Sequence, residues 1–204
     1  MKSFTFALLA LIFIPTNAVA ESAVILSASE DARIKSTLAS SKFEFGISKF
    51  RYVSAELDRM SSEGQSTDAE TTQMLQKILE QFKIDILDAS KYYYETAGHL
   101  DAGDRLPDQL SLVQFPESTS ENAKESIKLY FDNILLIGKK PPTSPPDAYY
   151  FAGDLLSEFI GENLTEIDTV ISTSDFGPRK TVGDRLTIIT QILSGLTEVL
   201  NLEL

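Results

Sequence analysis

The chain has 204 residues, with 30 acidic against 18 basic side chains and a net charge of −12. That balance argues against nucleic acid, whose phosphates demand a basic patch, and against adsorption to anionic lipid by charge. Cysteine is absent and histidine occurs once, which excludes disulfides, cysteine nucleophiles, Cys-based zinc sites and two-histidine metal sites.

Met1-Lys2-Ser3 is followed by an apolar run over residues 4–14, then Pro15 and Ala18-Val19-Ala20. A basic start, a short apolar run and small residues before Glu21 have the form of a secretory signal peptide cleaved after Ala20. The run is too short and wrongly flanked for a membrane span. The expectation is therefore a leader over 1–20 and a secreted, extracellular or periplasmic domain over 21–204, with no transmembrane segment in the mature chain. With about 184 residues left, that domain can build a real core.

Residues 21–29 read as a loose lead-in. A first helix is predicted over about 30–60 from Ile34, Leu38, Phe43, Ile47, Phe50, Val53, Leu57 and Met60. Its register shifts near Ser40 and Ser41, and Gly46 sits mid-run, so a kink or break is expected there. After a loop at 61–65, residues 66–98 carry the plainest signal in the chain. Leu75, Ile78, Leu79, Phe82, Ile86, Ala89, Tyr93 and Ala97 recur at steps of three and four, the stripe of a core-facing helix. Thr67 and Glu70 have capping-box spacing, and Gly98 follows as a stop. Met74, Ile84, Leu87, Tyr92 and Tyr94 lie off the stripe, which predicts neighbours on two sides of this helix.

Residues 99–119 contain Gly103, Pro107 and Pro116 and read as a crossover that packs some of its leucines. Ser118 or Ser120 caps a helix reaching Ile137, with Ile127, Phe131, Ile134 and Leu135 inward and Gly138 as the stop. Four prolines make 139–146 a stiff, extended spacer. A helix restarts at Asp147 and continues through Tyr149, Phe151, Ala152, Leu155, Leu156, Phe159, Ile160, Leu164, Ile167 and Ile171, with Gly161 a place where it bends. A turn is expected at 172–180, then a last helix over 181–201. No strand-like alternation is visible. The predicted fold is all-α, an antiparallel bundle of five or six helices without disulfides, forming a single domain with a proline-rich internal spacer.

No residue pattern points to catalysis, a cofactor or a metal. His99 suits a capping or surface position. Asp101, Asp104 and Asp108 do not have the spacing of a calcium loop. Glu80, Asp85 and Asp88 read as a solvated outer helix face. Phosphate-binding glycine loops, nucleophile elbows and Glu-x-x-His motifs are missing. The candidates that remain are contact residues. Tyr92-Tyr93-Tyr94 and Tyr149-Tyr150-Phe151 cannot all face one core. With Tyr93 and Phe151 inward, Tyr92, Tyr94, Tyr149 and Tyr150 either seal seams between helices or join Ile84 and Leu87 in an exposed apolar and aromatic surface. Asn163-Leu164-Thr165 has the form of an N-glycosylation sequon.

The crossover Leu106-Pro107-Asp108-Gln109-Leu110-Ser111-Leu112 and a helix ending Phe131-Asp132-Asn133-Ile134-Leu135 before Lys139-Lys140-Pro141 occur here with an amphipathic helical pair in one cysteine-free chain. That layout resembles the fungal hydrophobic-surface-binding proteins, also described as cell-wall galactomannoprotein-like. The resemblance implies a non-enzymatic helical protein that coats an apolar or wall surface and recruits a hydrolase. Residues and charge leave two other expectations beside it: a periplasmic acidic partner of the inhibitor or immunity type, and a carrier of a small apolar ligand within the bundle.

Overall fold

The computed structural model describes residues 16–64, 68–173 and 177–202. Five α-helices account for most of them: α1 (Thr16–Ser62), α2 (Ala69–Gly98), α3 (Glu121–Leu136), α4 (Pro145–Thr173) and α5 (Gly177–Asn201). A single 3₁₀ turn, Leu110–Leu112, lies in the crossover, and the described residues contain no strand. The expected leader lies outside the described residues as far as residue 15.

The α1–α2 pair shows why these sequences become helices that hold each other. On α1, Ala32, Ala39, Gly46, Val53 and Met60 are buried and recur every seventh residue. Phe43, Phe50 and Leu57 form a second buried column. On α2, Leu75, Leu79, Phe82, Ile86, Ala89 and Tyr93 alternate steps of four and three. These are the two seam columns of a coiled-coil pairing, in which a seven-residue repeat keeps one stripe facing the partner.

Cross-helix pairs run in opposite senses. Lys35 meets Glu95, Lys42 meets Asp88, and Phe50 meets Phe82 between α1 and α2. Tyr94 meets Tyr150 and Phe82 meets Phe159 between α2 and α4. α2 is thus flanked by α1 and α4, the two neighbours its off-stripe residues predict. α5 packs against α3 and α4, and the buried apolar side chains of all five helices form one core.

Three glycines mark where helices come closest. A Cβ on Gly46 would lie 2.8 Å from Ile86 Cδ1, and one on Gly153 would lie 3.0 Å from the Tyr94 ring. One on Gly195 would overlap the Ser126 carbonyl oxygen and Tyr130 Cβ. Gly46 therefore does not break α1, which is continuous; it lets α2 approach. Residues 21–29 belong to the same helix rather than to a loose lead-in.

Helix ends also differ from expectation in places. Asp68 caps α2, its side chain accepting from the Thr71 N–H at 2.7 Å, while Thr67 lies outside the described residues. Gly98 is the last residue of α2, and His99 follows it in right-handed geometry, so no left-handed glycine stops this helix. Gly138, at φ 69°, does end α3, and Ser120 caps its start. Pro145 begins α4 two residues early and Pro178 lies in the first turn of α5, since a proline costs nothing where no N–H is needed. The proline-rich spacer is tied down at one point: Leu106 N–H donates to the Thr143 carbonyl at 2.9 Å, with the Leu106 side chain buried.

Candidate contact surface

The polar side chains between the helices are already engaged with one another. Lys35, Lys42 and Lys49 stand seven residues apart on α1 and reach Glu95, Asp88 and Asp85 on α2. Asp85 is buried, not on the outer face with Glu80 as the sequence implied. It accepts from Lys42 at 3.1 Å, from Lys49, and from Gln81 at 3.4 Å. The apolar stripe on α2 is wide enough that its flank at position 85 falls under α1, where the lysine repeat meets it. Burial pushes the Asp85 carboxyl up, but the Lys49 and Lys42 hydrogen bonds outweigh it and hold the group below the usual carboxylate range.

A carboxyl whose pKa is depressed by folding contributes stability above its unfolded value and loses that contribution as pH falls through the folded value. Asp85→Asn is therefore expected to lose about 1–2 kcal/mol of unfolding free energy at pH 7. The gap to the wild-type protein should narrow below about pH 4. Urea titrations of both proteins at pH 7 and pH 3 check this; an equal gap at both pH values would contradict it.

The tyrosines divide between seam and surface. Tyr93 is buried, and its ring lies 6.1 Å from that of Tyr149, whose hydroxyl accepts from Ser36 at 3.3 Å. Tyr94 donates to Asp154 at 2.6 Å; burial and then this carboxylate push its phenol up to about 12. Lys35 stands over the Tyr92 ring, 5.3 Å from its centre. Tyr92, Tyr94 and Tyr149 thus seal the α1–α2 and α2–α4 seams. Tyr150, its ring tilted against that of Tyr94 at 6.2 Å, is exposed.

Ile84 and Leu87 are exposed as well, about half of each side chain facing solvent (50% and 45%). Leu164, expected to point inward, joins them because α4 buries a narrower stripe there. The Tyr94–Tyr150 ring contact and the Lys83–Asp168 pair at 2.8 Å mark two rungs of the α2–α4 edge. Helical spacing sets Leu87 one turn from Lys83 and Leu164 one turn before Asp168, on that same edge. Leu87, Leu164 and Tyr150 thus stand along one edge of two adjacent helices with Lys83, Asp154 and Asp168 among them, and Ile84, nearly one turn from Leu87, lies beside them on the outer side of α2.

A second group was assigned wrongly from the sequence. Ile34 and Leu38, placed on the core face of the first helix, face solvent together with Phe45 and Tyr52. Their signal was present: Leu38, Phe45 and Tyr52 repeat every seven residues, in a different column from the seam residues. Leu135 is also exposed, at 72%: the buried stripe of α3 runs through Ile127, Tyr130, Phe131 and Ile134, and Leu135 lies about 100° past Ile134.

Asn163 is fully buried; its amide nitrogen donates to the Phe159 carbonyl at 2.7 Å and its oxygen accepts from Arg185 at 2.6 Å. The atom that a glycan would need is committed to the interior, so the folded chain has no glycosylation site there. Two open clefts flank this region and the bundle's far side. One, of about 220 Å³, lies between the end of α3, α4 and α5 over Phe159 and Ile189. The other, of about 400 Å³, lies between α1 and α5 beside Phe50 and Gly183. No family model, curated protein or solved structure matches this chain.

Proposed function

We propose that this is an exported, non-catalytic helical protein that works by contact, adsorbing to an apolar or cell-wall surface, or to a partner bearing one, through the α2–α4 edge. The single observation that carries this reading is that Ile84, Leu87, Leu164 and Tyr150 remain 41–50% exposed on the outer sides of two adjacent helices. Exposed apolar residues spread over two adjacent helices suit a broad, weakly structured target, and such surfaces mark interaction sites. The buried polar groups of the seams, in contrast, serve one another. The resemblance to hydrophobic-surface-binding proteins points the same way. The net negative charge keeps the free protein soluble until the target is met.

Depletion of the purified protein by polystyrene or wax beads tests the proposal. Each half-exposed aliphatic side chain is worth about 1 kcal/mol when it leaves water. The double variant Ile84→Lys, Leu87→Glu should therefore bind at least about tenfold more weakly. Depletion no greater than that of an ordinary acidic globular protein, or unchanged in the double variant, ends the reading.

A further inference from the structure

The cleft between α4 and α5 holds a polar arrangement that helix packing alone does not call for. Asn163 has no exposed surface, and its Nδ2 is spent on the Phe159 carbonyl one turn back in its own helix. Its Oδ1 accepts from Arg185 Nη1 on α5, at 2.6 Å. A buried amide oxygen left without a donor is costly, so the two side chains fix each other. Among the described residues Arg185 makes no other hydrogen bond and no ion pair. A guanidinium carries five N–H groups, so most of its donors remain for something else at the cleft.

Glu162, beside Asn163 in the chain, is exposed and lines the same cleft. It too makes no ion pair among the described residues, because Arg185 is tied to the amide and not to this carboxylate. The other two charges of the lining, Lys139 and Glu158, neutralise each other at 2.6 Å. The cleft thus presents one unmet cation and one unmet anion, and one turn along each helix lies an apolar floor of Phe159, Ile188 and Ile189.

Those three features select a ligand by its chemistry. A carboxylate suits Arg185, but a lone carboxylate would be repelled by Glu162. An ammonium suits Glu162, but a lone amine would face Arg185. A small zwitterion with an apolar tail answers all three. Size decides the tail: an apolar cavity of about 150 Å³ takes a benzene ring. The cleft, at about 220 Å³, therefore admits a branched or aromatic side chain with its polar head at the mouth, whereas a long acyl chain would overrun it.

We propose that the α4–α5 cleft binds a free apolar α-amino acid of leucine or phenylalanine size, its carboxylate on Arg185, its ammonium on Glu162 and its side chain over Phe159 and Ile189. Both protein charges are exposed, where ion pairs are weak, so the dissociation constant is on the order of 1 mM. The site uses the α4–α5 face and stands or falls separately from the adsorption reading.

Titration of ¹⁵N-labelled protein with L-leucine to about 10 mM should move the amide signals of 155–163 and 185–189 along one saturable curve. The analogue without the ammonium, 4-methylpentanoate, and the one without the carboxylate, 3-methylbutylamine, should each bind at least about fivefold more weakly. Glycine, which lacks the apolar group, should leave the signals in place. Glu162→Gln should weaken L-leucine about threefold or more while binding 4-methylpentanoate no less well. Arg185→Gln should weaken L-leucine while binding 3-methylbutylamine no less well. A clamp between Asn163 and Arg185 that only holds the helices together would not produce this crossed pattern. Glu162→Gln alone carries the test should Arg185→Gln fold poorly, since Glu162 is exposed. Ile84→Lys with Leu87→Glu should bind L-leucine as the parent protein does. No saturable shift in these segments, an analogue lacking either charge that binds as well as L-leucine, or an affinity unchanged in Glu162→Gln would each overturn the proposal.

Discussion

Phe82→Ala should lower the unfolding free energy by about 3–5 kcal/mol, more than any other single truncation on α2. Phe82 has no exposed surface, and its ring lies 5.3 Å from Phe50 on α1 and 6.4 Å from Phe159 on α4. It is the point where three helices share one aromatic cluster. The cost of a large-to-small change is the lost transfer energy plus whatever cavity the neighbours fail to close. Here the neighbours are two rings fixed on different helices, and neither can move inward without dragging its backbone. Leu135→Ala is the natural comparison: its side chain is in water, so its effect should stay within about 0.5 kcal/mol. Urea unfolding measures both. A loss below about 1.5 kcal/mol for Phe82→Ala, with the slope unchanged, would mean that the cluster is looser than its geometry.

The core position of Phe82, as one member of its stripe, was legible in the sequence, and the reason is physical. Leu75, Leu79, Phe82, Ile86, Ala89 and Tyr93 repeat with a helical period that only burial along one stripe explains. The same logic located α3 and α5 and the two-sided packing of α2. It failed where one helix carries two apolar columns. On α1, Ile34 and Leu38 belong to the exposed line and Phe43, Phe50 and Leu57 to the seam, and a single count of apolar residues merges them. The mismatch between them was read as a register shift at Ser40 and Ser41, when it was the angle between two faces. Asp85 was misplaced for a related reason. A carboxylate reads as wet by residue type, and only the seven-residue spacing of Lys35, Lys42 and Lys49 on another helix could have shown that it had partners. Seam and surface tyrosines were not separable at all, because a phenol that caps a seam and one that meets solvent need the same amphipathic ring. Asn163 misled because a three-residue motif carries no information about which side of a helix it occupies.

Glycine is the residue whose reading changed most, and it supports the second large effect. Gly195→Ala should destabilise the protein by about 2 kcal/mol, whereas Gly161→Ala should stabilise it by about 0.5–1 kcal/mol. Both glycines lie inside helices, so both substitutions gain helix propensity of up to about 1 kcal/mol. They differ in what the new methyl meets. At Gly161 there is nothing within 4 Å, which leaves the propensity gain alone. At Gly195 the methyl overlaps the Ser126 carbonyl oxygen and Tyr130 Cβ. Neither is the far end of a flexible chain: the oxygen is backbone, and Tyr130 is buried with its own ring packed at 4.8 Å against Phe131. The α3–α5 contact must open to admit the methyl, and overpacking of that kind costs about 3 kcal/mol, exceeding the gain. Because α5 is the helix α3 packs against most, the loss should be concentrated there. Hydrogen exchange should quicken along 121–136 while α2 keeps its protection. Thermal unfolding gives the sign of each change, since about 1 kcal/mol moves the midpoint of a chain this size by roughly 2–4 °C. Two shifts in the same direction would show that the α3–α5 approach is not as tight as its backbone contact requires.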